Sequence, residues 1–178
     1  GHYYVDKDKA GLAAILAQML NESTTKRSAE DMSIELDKLG SSVYIYPSAK
    51  YLNVHINALT KNVDATLALV DEKLRFPAFK EDEFSRVKSN AIQGAINNKK
   101  NAGYLASTAY RRLLQQDNIA ALPINGVEST LNNLSLADVK SFFQSQVRVI
   151  ASHSSSSVQV SVLLQNLHFV CDSTVRHN

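Results

Sequence analysis

The chain is poor in the residues that build covalent or metal cross-links. Its 178 residues include one cysteine, Cys171, so neither an internal disulfide nor a cysteine-based zinc site can be formed within it. An excess of one charge is also missing. Nineteen Lys and Arg stand against seventeen Asp and Glu, a formal net charge of +2, and the cations are scattered. That pattern lacks the basic stripe with interleaved aromatics on which nucleic acid is held. No apolar run approaches the roughly 20 residues that cross a bilayer, and the first residues lack the layout of a signal peptide, so any targeting segment is expected elsewhere. No glycine-rich phosphate loop occurs, and no Ser, His and Asp stand at a spacing that assembles a nucleophile.

What is present is the balance of a globular domain, 44% hydrophobic and 20% charged, in a length that suits one domain better than two. From Lys9 to Glu22 the apolar residues Leu12, Ile15, Leu16, Met19 and Leu20 recur every three or four positions and predict an amphipathic helix. Ser28 with Asp31 reads as an N-cap for a second helix through Leu39, with Gly40 at its C-terminal end. Between Lys50 and Leu59, Leu52, Val54, Ile56 and Ala58 alternate with polar partners. With Ser41–Tyr46 and a turn over Pro47 to Ala49, this predicts a β-hairpin with one buried face.

Helical spacing returns with Val63, Leu67, Val70 and Leu74, and Phe76-Pro77 ends that helix because proline lacks a donor and constrains its predecessor. Long helices are expected from about Glu81 to Asn98 and from about Ala102 to Gln116. Leu122 to Gly126 reads as a turn, and Ser135 with Asp138 repeats the cap pattern before a helix ending near Val147. The expected organisation is one domain over residues 1–150 and an irregular tail over 151–178, serine-rich at His153 to Ser157 and with one possible strand at Val158–Leu164. The fold class is α+β, an antiparallel sheet covered on one face by helices. A lone hairpin is marginal, so further strands are expected from outside the chain.

The order of these pieces carries short strings with it: Lys9 to Ala13, Met19 to Glu22, Leu39 to Ser42, Ala58 to Asn62, and Pro123 with Gly126. Together, over roughly Tyr3 to Val147, they resemble the repeating domain of the pitrilysin/insulinase family, which includes the mitochondrial processing peptidase. The fold implied is that of the LuxS and mitochondrial-processing-peptidase type, opening with a strand or two ahead of Tyr3. Catalytic members carry His-x-x-Glu-His on the first helix, two histidines for zinc and a glutamate that activates water. The resemblance places those positions at Ala14, Ala17 and Gln18. The third ligand, a glutamate on the long helix, would fall around Gln93 to Ala95, yet Phe84 to Gln116 contains no Asp or Glu. A catalytic zinc takes about three protein ligands, so no metal or cofactor is expected in this chain.

The resemblance therefore implies a catalytically silent lobe, itself inactive, facing a homologous zinc-bearing lobe or subunit across a chamber that holds unfolded peptide. By the same analogy its location would be the bacterial periplasm or, alternatively, the mitochondrion. One competing reading is a structural scaffold of the same fold, like the core subunits of a respiratory complex. Another is an unrelated helical module, which requires that no sheet form around Ser41–Leu59. Other residues are given plain roles. His55 faces solvent or packs across the hairpin, His153, His168 and His177 lie in the tail, and none of these, nor His2, is expected to bind metal. Glu22 is expected as a solvated helix end, and Asp64, Asp71 and Glu72 as a wet helix face. Tyr110, Leu113 and Leu114 are expected to pack inward while Arg111 and Arg112 face water.

Overall fold

A computed structural model describes residues 1–116 and 118–147; the tail expected over 151–178, with its possible strand, lies outside them. At the centre runs α1, Leu12–Asn21. Leu12, Ala13, Ile15, Leu16, Ala17, Met19 and Leu20 are all buried, so the helix is enclosed on nearly every side, by the strand Ser42–Pro47 and the helices Val63–Arg75, Glu81–Asn98 and Leu136–Gln146.

The hairpin is antiparallel, β1 (Ser42–Pro47) with β2 (Leu52–Asn57), in a register that opposes Tyr44 to His55 and Ile45 to Val54. Ile45, Leu52 and Val54 are buried in the same core as α1, whereas Tyr44, Tyr46 and His55 are exposed. Alternation sets this division, because successive strand residues point to opposite faces. The Asn21 carboxamide ties α1 to the sheet: its Nδ2 donates to the Ile45 carbonyl (2.8 Å) and its Oδ1 accepts from the Ile45 N–H (3.0 Å). A strand residue directs both main-chain groups to one side, so this two-point contact lies on the edge of β1 away from β2. The helical module without a sheet is thereby set aside.

Around this centre stand α2 (Ala29–Lys38), α3 (Val63–Arg75), α4 (Glu81–Asn98), α5 (Ala102–Gln115), α6 (Glu128–Asn132) and α7 (Leu136–Gln146). The caps read from sequence are made. Ser28 accepts from the Asp31 N–H, and Ser135 with Asp138 forms a reciprocal capping box. Lys9 ties to Asp138, and with Ser135 it holds the Asp138 carboxyl down at about 2. The short α6 was not anticipated.

Three expectations are corrected. Glu72 is buried, not wet: its carboxylate accepts from the Thr24 hydroxyl (2.7 Å) and from Arg27 (2.6 Å), which fastens α3 to the loop after α1. Glu22 is partly buried and paired with Arg86 at 2.6 Å. On α5 the apolar stripe points outward, with Tyr110 66%, Leu113 78% and Leu114 60% exposed. The inward face runs instead through Tyr104, Thr108 and Arg111, positions i, i+4 and i+7 of one side. His2 is buried, its Nε2 at 3.1 Å from the Ile119 carbonyl and 3.2 Å from that of Leu122.

Candidate site: the groove between the first and fourth helices

Helix α1 exposes one narrow face, Ala14, Gln18 and the following Glu22, spaced by four. Helix α4 faces it with Val87, Asn90, Ala91, Gly94, Ala95 and Asn98, spaced by three and four, and the turn at Asn125-Gly126 closes one end. These surfaces enclose a groove of about 270 Å³. Buried Ile15 and Val87 belong to its lining. At Gly94 a Cβ would meet nothing within 4 Å, so the wall there is bare main chain beside open space.

Close contact between two glycines holds the turn against the start of α1. Gly11 has φ +100° and Gly126 φ +77°, values that L side chains rarely adopt. A Cβ on Gly126 would lie 2.5 Å from the Ala10 carbonyl oxygen and 3.0 Å from the Gly11 Cα. The same Ala10 carbonyl accepts from the Thr130 hydroxyl at 2.7 Å.

The structure thus brings Ala14 and Gln18 into one groove with Gly94 and Ala95, the α4 segment singled out for a third ligand. Gln93 and Ala17 do not line it, and Ala17 is 1% exposed within the core. The donor set does not fit zinc. Alanine offers no lone pair, the Gln18 amide is a poor zinc ligand, and Glu22, the carboxylate among the lining residues, is held by Arg86. Among the described residues no group of three or more His, Cys, Asp or Glu side chains could hold a metal ion. Hydrogen bonding is the chemistry that remains. Asn90, Asn98 and Asn125 were missed by sequence reasoning, although the spacing of 87, 91, 94 and 98 along α4 marks a single face.

The family model for insulinase, peptidase family M16, matches residues 1–120. A curated relative, the "Non-peptidase homolog YmxG" of Helicobacter pylori, is 25% identical over 78% of this chain and 32% of its own length. An "Uncharacterized zinc protease" of Rickettsia felis is 22% identical over 80% of this chain and 34% of its own. Among solved structures, a peptidase M16 inactive domain from Pseudomonas fluorescens superimposes with a TM-score of 0.68 at 23% identity, covering 75% of this chain and 33% of that one; this likeness shows the fold. The chain spans about a third of the length of the curated relatives it matches.

Proposed function

This chain belongs to the insulinase family, peptidase family M16, and from that premise we propose that it is a catalytically silent lobe that walls a peptide chamber and supports substrate held by a homologous zinc-bearing lobe or subunit. The observation that carries the proposal is the lining of the α1–α4 groove. Ala14 and Gln18 line it with Gly94 and Ala95 opposite, and the resemblance assigns the first two to the positions where catalytic relatives carry metal ligands. Ala17 takes the place of the general base. Neither the metal nor the base that activates water has a side chain to hold it here. A relative carrying the name of a non-peptidase homologue supports the same reading. The partner lobe is supported by the share of the relatives this chain spans, since about two-thirds of their length lies outside it.

The test is elemental analysis together with an assay on unstructured peptides. The chain alone should carry no zinc and cleave nothing, and peptide binding should strengthen when a zinc-bearing lobe is added. Stoichiometric zinc at α1 would overturn the proposal. A second reading, a scaffold that handles no peptide, draws on the outward stripe of α5, where Leu105, Tyr110, Leu113 and Leu114 form an exposed apolar surface of the kind that marks protein interfaces. Absence of peptide binding in every assembly would favour it.

A further inference from the structure

Residues 1–5 lie as a strap between two turns that are distant in sequence. The His2 N–H donates to the Ser48 carbonyl at 3.1 Å and the Tyr3 N–H to that of Ala49 at 2.9 Å, which ties the strap to the bend between β1 and β2. Gly1 is seated against that bend so closely that a Cβ on it would lie 2.1 Å from the Lys50 carbonyl carbon. On the other side the His2 ring, 1% exposed, reaches the Ile119 and Leu122 carbonyls through Nε2. One imidazole thus closes the strap onto the turn that leads into Pro123 to Gly126. Beyond it Val5 is buried in the main core, and Gly1 lines a small apolar pocket with Ala13, Leu16, Leu52, Phe142 and Val147. The strap therefore adjoins core residues of α1, β2 and α7.

Only one form of the ring suits this place. A carbonyl accepts and cannot donate, so Nε2 carries the proton and Nδ1 of the neutral ring holds a lone pair. Nδ1 is buried and, among the described residues, has no hydrogen-bond partner. A bare lone pair is tolerated there, whereas a second N–H would be a buried donor without an acceptor, on a ring newly charged. The charged groups that act on the ring are the Gly1 amino group and Arg111 of α5, both cationic, while the bend and the 119–122 turn present main chain to it. Burial is the first reason the ring resists a proton and lies below its ordinary 6.5; the two carbonyls, which favour the charged ring, oppose this without prevailing. Burial also lowers the Gly1 amino group to about 6, so the two groups must be told apart.

We infer that His2 is an acid-sensitive latch: its neutral ring fastens residues 1–5 to the turn at Ile119 and Leu122, and protonation of Nδ1 releases them, baring apolar residues of α1, β2 and α7. The released ring takes up a proton more readily than the closed one, so closure is fully supported above about pH 6.5 and is lost as pH falls below it. The test is amide hydrogen exchange by NMR on the 178-residue chain at about pH 7.5 and about pH 5, read as protection relative to the free rate at each pH. Protection of the His2, Tyr3 and Leu122 amides should fall at least about fivefold, the equilibrium effect of one buried donor left without an acceptor, while the α1 amides hold. His2→Gln keeps a neutral donor for the same carbonyls and should show only the smaller fall that Gly1 causes. An equal fall in that variant would assign the switch to Gly1 and overturn the latch. If His2→Gln is open at both pH values, the ring signals of the parent decide: a His2 that charges at or above about 6.5, or that charges with no loss of protection, would overturn it as well, and charging below that value together with the loss would uphold it.

Discussion

Replacing Gly126 by alanine is the sharpest single perturbation of the groove. Two costs follow from the geometry. The residue sits at φ +77°, where an L side chain is strained by about 1–2 kcal/mol. Its Cβ would also lie 2.5 Å from the Ala10 carbonyl oxygen, so main chain must move against main chain, a displacement that costs about 1–3 kcal/mol. Any such movement stretches the bond from Thr130 to Ala10, 2.7 Å long. The expected loss is about 3 kcal/mol, which for a chain of this size lowers Tm by about 6–12 °C. Gly94→Ala is the internal control, because it too removes a glycine beside the groove but with free space around the new methyl. It should raise stability by about 0.5–1 kcal/mol, the ordinary gain of alanine over glycine in a helix. Calorimetry and urea titration of both variants decide the matter. A Gly126→Ala protein melting within about 2 °C of the parent would refute the account of the glycine contact.

Other consequences can be checked in the same preparations. Glu72→Ala should cost about 2–3 kcal/mol in urea unfolding, below the range for fully enclosed pairs because Arg27 can still reach water; a double-mutant cycle with Arg27→Ala should give a coupling clearly above zero. Asp138 is held at about 2 against an ordinary 3.8, so its folded state binds fewer protons than the unfolded chain. Its contribution is therefore complete above about pH 4 and is lost as pH falls toward 2. Asp138→Asn should flatten the acid limb of the stability curve by that share. If the groove corresponds to the metal site of catalytic relatives, Ala14→His with Gln18→His should bind zinc, and adding Gly94→Glu should tighten it at least about tenfold in a chelator competition; no further tightening would show that α4 does not face those two positions as described.

Much of the fold is legible in local signals. The predicted span of α4, Glu81 to Asn98, agrees with its observed bounds, since an acidic first turn follows a proline-bearing break. The hairpin follows from strict alternation, and the α2 and α7 starts from Ser28 and Ser135. What was misread depended on partners distant in sequence. Glu72 resembles any exposed helix carboxylate until Thr24 and Arg27, 48 and 45 residues away, are brought beside it. The apolar period of α5 marks a stripe but does not say what covers it, so Tyr110, Leu113 and Leu114 were assigned to the wrong side. At α6, five residues are too few to show any period. Ala14 and Gln18 were found by resemblance alone. The α4 half of the groove needed the structure, because asparagine and glycine on a long helix carry no catalytic signature of their own.

The carboxamide of Asn21 gives the two-stranded sheet a direction of growth. By taking both main-chain groups of Ile45 it stands where a neighbouring strand would have to pair, so that flank is already blunted against intruders, and edge-to-edge stacking of copies is discouraged there. Any strand recruited from beyond the described residues, in this polypeptide or another, has the opposite flank to join, alongside Leu52–Asn57. Were such a strand to join, the hairpin would form the end of the resulting ribbon rather than its middle.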